Sequence, residues 1–169
     1  MSNYENTKNL PIYKKAELLY QLVESLVASL PEDDEFIRST KELMRADAMI
    51  ISAKIAGAEG VDLYSIRMQK AAVIRDHAMH LYVQVGGLRF EKSYKDLEYI
   101  KLIRKEVNEF HLLFAEWVES FDTTNHIWDD WGLFNPKGAI PPTGEDGFDD
   151  DNFNIDDFNI DDFLDDDDD

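Results

Sequence analysis

The chain has 169 residues, 44% of them hydrophobic, and 36 acidic against 17 basic side chains give a formal net charge of −19. It contains no cysteine, which excludes disulfides, thiol catalysis and thiolate metal sites. Residues 1–9 are polar and lack the apolar core of a signal peptide, and no run approaches the ~18 uninterrupted apolar residues of a membrane helix, so a cytoplasmic location is expected.

Residues 1–9 read as a disordered lead-in. Pro11 then occupies a position favoured for proline, the first turn of a helix. Ile12, Ala16, Leu19, Val23, Leu26 and Leu30 repeat every three or four residues, which places them on one helical face. Pro31 ends that helix. Asp33 and Asp34 are good N-caps for a second one, whose inward residues are expected to be Phe36, Ile37, Leu43, Ala46, Ile50, Ala53 and Ile55. Gly57 and Gly60 bracket its end. Asp62 or Ser65 starts a third helix, with Leu63, Ile66, Ile74, Ala78, Leu81 and Val85 as its stripe, broadened by Met68, Met79 and Tyr82. Gly86 and Gly87 stop it.

The fourth helix is the longest, from Tyr94 to Phe121. Its stripe is Tyr94, Leu97, Ile100, Ile103, Val107, Phe110, Phe114, Trp117 and Phe121. Ser93 can cap it, with Asp96 at the third helical position in a variant of the capping box. Charged residues, Glu106 and Glu109 among them, fill the opposite face. Four periodic segments with short breaks and no strand pattern predict an all-α fold, an up-down-up-down four-helix bundle over residues 10–122.

A short aromatic extension follows over residues 123–135. Its Trp128, Trp131 and Phe134 read either as a cap packed across the bundle end or groove, or as an interface with a subunit or partner, where Trp is enriched. Residues 136–144, rich in Pro and Gly, mark a linker.

The acidic tail, residues 145–169, carries 14 acidic and no basic residues, which leaves 22 acids against 17 bases in the body, or −5. Within it Asn154–Phe158 is repeated as Asn159–Phe163, and Phe148, Phe153, Phe158 and Phe163 recur every five residues. A period of five fits neither a helical face nor strand alternation, and dense like charge predicts disorder.

No catalytic constellation is found. Di-iron bundles need Glu-x-x-His pairs, and no Glu here has a His three residues on. His77 and His80 share a face with Asp76 beside them, an arrangement that could form a weak metal site; the favoured reading is surface or core-edge histidines, with no metal or other cofactor expected. Asp47, one position from the inward stripe, is expected to pair with a base such as Lys14 or Arg75. There is no phosphate-binding glycine loop and no serine in a nucleophile arrangement. The chain is expected not to be an enzyme.

The order of residues carries more. Tyr13 and Lys15 precede a leucine-rich helix ending in Leu30-Pro31; Ile55, Ala56 and Ala58 close the second helix; Ile74, Ala78 and Leu81 mark the third; Ser93, Tyr94 and Leu97 precede Glu106-Val107, Phe114 and Trp117-Val118. Over residues 10–121 this resembles the four-helix-bundle family that includes the Avd accessory proteins of diversity-generating retroelements and the proteins encoded by intervening sequences of large-subunit ribosomal RNA. The resemblance implies a ring-like homo-oligomer, a pentamer, that is not an enzyme. It also implies binding of a reverse transcriptase and of nucleic acid through a basic surface. Basic positions that could serve are Lys14, Lys15, Lys41, Arg45, Lys54, Arg67, Lys70, Arg75, Lys101, Arg104 and Lys105. The acidic body departs from that pattern, because nucleic-acid affinity rests on neutralising phosphates. The alternative places function in the tail: its phenylalanines and aspartates could dock onto an apolar, basic partner surface, fold back to mask the chain's own bases, or act as a solubilising segment.

Overall fold

The computed structural model describes residues 3–32, 35–92 and 94–142. It contains five α-helices: α1 Asn3–Asn9, α2 Pro11–Ser29, α3 Glu35–Glu59, α4 Tyr64–Gly87 and α5 Leu97–Glu119, with a 3₁₀ turn at Leu88–Phe90. The described residues contain no strand. No helix among them is long and apolar enough to cross a membrane. Helix α2 packs against α3 and α5, and α4 packs against α3 and α5, so the four long helices enclose one bundle-like core.

That core follows the sequence stripe most closely in α2. Ile12, Ala16, Leu19, Val23, Leu26 and Leu30 are all buried, joined by Val27. Burying the Ile, Leu and Val side chains among them contributes about 1.5–3 kcal/mol each. The stripe of α5 is also inward from Ile100 to Trp117, although Phe114 is half-buried and Leu97 is exposed.

Three expectations are corrected. Residues 3–9 form a helix rather than a disordered lead-in, with Thr7 buried. The helix breaks at Leu10, which is extended, because the ring of the following Pro11 disfavours the helical conformation there. The second correction concerns α3. Phe36 is 62% exposed and Leu43 55% exposed, Ala53 is exposed, and Ala46 and Ile50 are half-buried. The buried residues are Ile37, Lys41, Met44, Ala48, Ile51, Ile55 and Ala58, with Thr40, Asp47 and Ser52 beside them. The helix is turned by about one residue, roughly 100°, because its inward face tolerates polar side chains that find partners across the bundle. Lys41 is an example: its Nζ donates to the Leu30 carbonyl at 2.9 Å, where α2 has just ended.

Third, α5 begins at Leu97, not Tyr94. Asp96 is its N-cap, with Oδ1 accepting from the Tyr99 N–H at 3.0 Å. Tyr94 and Phe121 flank the helix yet remain buried. The caps expected of Asp33, Asp34 and Ser93 lie outside the described residues, as does the tail 145–169 with its four phenylalanines. Two compact units are distinguished, residues 1–138 and 139–169; the described part of the second, residues 139–142, has no regular secondary structure.

Candidate functional site

Most of the candidate basic residues face carboxylates. Lys15 Nζ donates to Glu106 Oε2 at 2.6 Å and to Glu109 Oε2 at 2.7 Å, joining α2 to α5. Its ammonium is held above its ordinary pKa, first by the hydrogen bond to Glu106 and then by that to Glu109, while Glu109 is held below its own, chiefly by Lys15. Glu106, expected on the charged outer face, is buried. Arg45 is paired with Glu24, Lys101 with Glu98, Lys105 with Glu109, Arg75 with Asp76, Lys41 with Glu32 and Arg67 with Glu59. Arg104 lies over the Tyr82 ring, 4.0 Å from its centroid. Among the described residues, Lys14, Lys54 and Lys70 have no carboxylate within ion-pair distance. A base already facing a carboxylate neutralises a phosphate only by giving up that partner.

The aromatic extension is tied to one end of the bundle. The Tyr64 N–H donates to the Asn125 carbonyl at 2.7 Å, and Ser65 Oγ donates to the Ile127 carbonyl at 2.9 Å, so the segment supplies an acceptor to one orphan backbone donor at the start of α4 and another to the Ser65 hydroxyl. Beyond it, Asp129 organises a loop. Its carboxylate accepts from the N–H groups of Trp131, Leu133 and Phe134 at 2.8–3.0 Å. Asn135 receives the Asp129 N–H and donates back to the Asp129 carbonyl, both at 2.8 Å. Gly132, at φ +71°, makes the reversal that this wrapping needs. The loop holds Trp131 out, 89% exposed, whereas Trp128 and Phe134 are half-buried. Phe148, Phe153, Phe158 and Phe163 lie outside the described residues.

An apolar concavity lies between α4 and α5. Met79, Tyr82, Val107, Phe110, Phe114 and Val118 line an open groove of about 640 Å³. With Tyr82, the exposed Val83 and Phe90 line a neighbouring hollow, and Met79 of the groove is itself half exposed. The hollow beyond Tyr82 and Val83 is floored by Gly86, where an added Cβ would sit 3.4 Å from the Arg104 guanidinium. One base, Arg75, and one acid, Glu119, border the groove, so this face is nearly neutral in a strongly acidic chain. Of Met79 and Tyr82, expected to broaden the inward stripe of α4, Tyr82 packs against the core as well as lining the groove, whereas Met79 is half exposed. The legible signal of an outward apolar face was that the apolar residues of α4, Val83 included, spread around the helix.

Asp47 meets neither Lys14 nor Arg75. It is paired instead with His77, across from α3 to α4. Comparison with models of protein families, with curated proteins and with solved structures finds no match for this chain.

Proposed function

We propose that the chain is a non-enzymatic homo-oligomeric scaffold or accessory subunit of the cytoplasm. In this reading α2 to α5 run up-down-up-down, and the α4–α5 face is the contact between copies. The observation that carries it is the open apolar groove, with Met79 half exposed in it and, beyond Tyr82, a second hollow lined by exposed Val83 and Phe90. Contiguous exposed apolar surface marks an interaction site. A second copy is the favoured occupant on electrostatic grounds, since two chains of net charge −19 can approach most easily where the surface is nearly neutral. The oligomer would then present an accessory surface of the kind that the resemblance to Avd-type subunits implies, for a reverse transcriptase or another basic protein. Nucleic acid is the weaker ligand, because most of the candidate bases already face carboxylates.

The test is the solution mass by light scattering, for the full chain and for a chain ending at Gly144. A mass several times 19.6 kDa for the full chain, near five copies, with the shortened chain also multimeric, is expected. Replacing Met79, half exposed in the groove, by Glu should dissociate it without unfolding it. A monomer at micromolar concentration overturns the proposal.

A second reading rests on the charge asymmetry of the sequence: the tail docks on a partner or masks the chain's own bases. Deleting residues 145–169 should then raise nucleic-acid affinity and its salt dependence. Unchanged affinity overturns the masking.

A further inference from the structure

Asp47 stands midway along α3 on its buried side. Its side chain is 8% exposed, a costly place for a carboxylate. One oxygen is accounted for: Oδ1 lies 2.6 Å from His77 Nδ1. The other, Oδ2, is buried and has no hydrogen-bond partner among the described residues. A buried polar atom is ordinarily satisfied, and one that is not calls for an explanation. His80 follows His77 by three residues on α4, so both rings leave the same side of that helix. Their centroids are 6.1 Å apart and their planes stand at 87°. Asp47, His77 and His80 each bring one ligand atom within 4.8 Å of the other two.

We infer that Asp47, His77 and His80 bind a divalent transition-metal ion of the zinc class, clamped between α3 and α4. Two imidazoles and one carboxylate form the nitrogen–oxygen set that suits zinc and its first-row neighbours, whereas calcium and magnesium favour all-oxygen sites. The ion gives the orphaned carboxylate a cationic partner. As hydrogen-bond partners His77 and Asp47 stand closer than two ligands of one ion. On binding they part to about 3.3 Å, the edge of a tetrahedron with bonds of about 2.0 Å, and His77 carries its ring proton on Nε2. His80 is exposed, so the remaining coordination position opens to solvent and is filled by water. Asp76, the acid next to His77, is turned to Arg75 at 3.2 Å and stays outside the set. The sequence pattern showed the two histidines; the third ligand is 30 residues from His77 and becomes visible only in the fold.

The test is calorimetric titration of the full chain with zinc chloride, in a large excess of magnesium that occupies the carboxylates of the tail. One zinc per chain is expected to bind. His80→Ala, at an exposed position that leaves the fold intact, should weaken binding by about tenfold or more. Cobalt(II) should give visible absorption bands with the parent chain that the variant lacks. Zinc should raise the melting temperature of the parent and not that of the variant, as expected of an ion that binds the folded state. Equal zinc affinity in parent and His80→Ala, or loss of binding in magnesium, overturns the inference. Its outcome is independent of whether the chain oligomerises.

Discussion

Trp117 and Glu59 are joined across the end of the bundle, the indole Nε1 donating to Glu59 Oε1 at 2.8 Å. The same carboxylate oxygen accepts from Arg67, whose guanidinium lies 4.1 Å from the centroid of the Phe121 ring and 5.9 Å from that of Trp117. The last turn of α3, the first of α4 and the last of α5 therefore meet in one knot of a carboxylate, a cation and two aromatic rings.

Trp117→Phe keeps the ring but removes the donor, and should destabilise by about 1–2 kcal/mol. Glu59→Ala should cost more, about 2–4 kcal/mol, because it leaves both Arg67 and the indole N–H without this partner in a largely buried place. Urea denaturation of the two variants gives the order; equal midpoints would show that the knot does not bind α5 to the other helices.

The ion pair of Lys15 with Glu106 and Glu109 makes stability depend on pH at both ends. A lysine raised above its ordinary 10.5 contributes stability in full below that value, and loses it as pH climbs through the folded-state pKa. A glutamate lowered below its ordinary 4.5 contributes above that value, and loses it as pH falls through the folded-state pKa. Lys15→Met should destabilise by about 2 kcal/mol near neutral pH, since it strands buried Glu106. The gap between parent and variant should narrow below about pH 4.5 and above about pH 10.5. Urea midpoints across that range check both limbs; a gap that widens at either end contradicts the pairing.

The corrected register of α3 is open to a direct comparison of neighbours. Met44→Ala should cost about 2–5 kcal/mol, as an emptied core site does. Leu43→Ala, one residue away and more than half exposed, should stay within about 0.5 kcal/mol. Thermal melts would expose the opposite ranking at once.

In the loop after α5, the Asp129 carboxyl is held below its ordinary range, first by the Phe134 N–H and then by those of Trp131 and Leu133. Asp129→Ala should free these amides. Their hydrogen exchange is expected to accelerate about tenfold or more while the global unfolding midpoint stays where it is in the parent. Unchanged exchange would mean that the loop is held by something other than this side chain.

Much of the architecture was legible because it is local. Five of the six buried residues of α2, and Leu30 just past its end, follow from spacing alone, and Pro11 and Pro31 mark breaks through their backbone chemistry. The charge boundary between body and tail is a matter of counting. By contrast, periodicity weighs apolar content and says only which side chains share a face. In α3 the heptad of Phe36, Leu43 and Ile50 outweighed the true stripe, which contains Lys41, Asp47 and Ser52. Those residues can be buried because Leu30, Glu32 and His77 reach two of them from elsewhere in the chain.

Amino-acid order by itself determined that this chain forms long amphipathic helices with a separate acidic tail, since helix spacing, chain-breaking residues and charge density act over a few residues. The tertiary structure decided which faces close and what the polar groups do. It buried Glu106 by bringing Lys15 from 91 residues away, paired seven of the eleven candidate phosphate-binding bases with carboxylates, left an apolar groove open between α4 and α5, and set Asp47 beside two histidines. Each of those outcomes depends on the free energy of a group and its distant partner together, and a side chain's own position in the sequence carries no record of that partner.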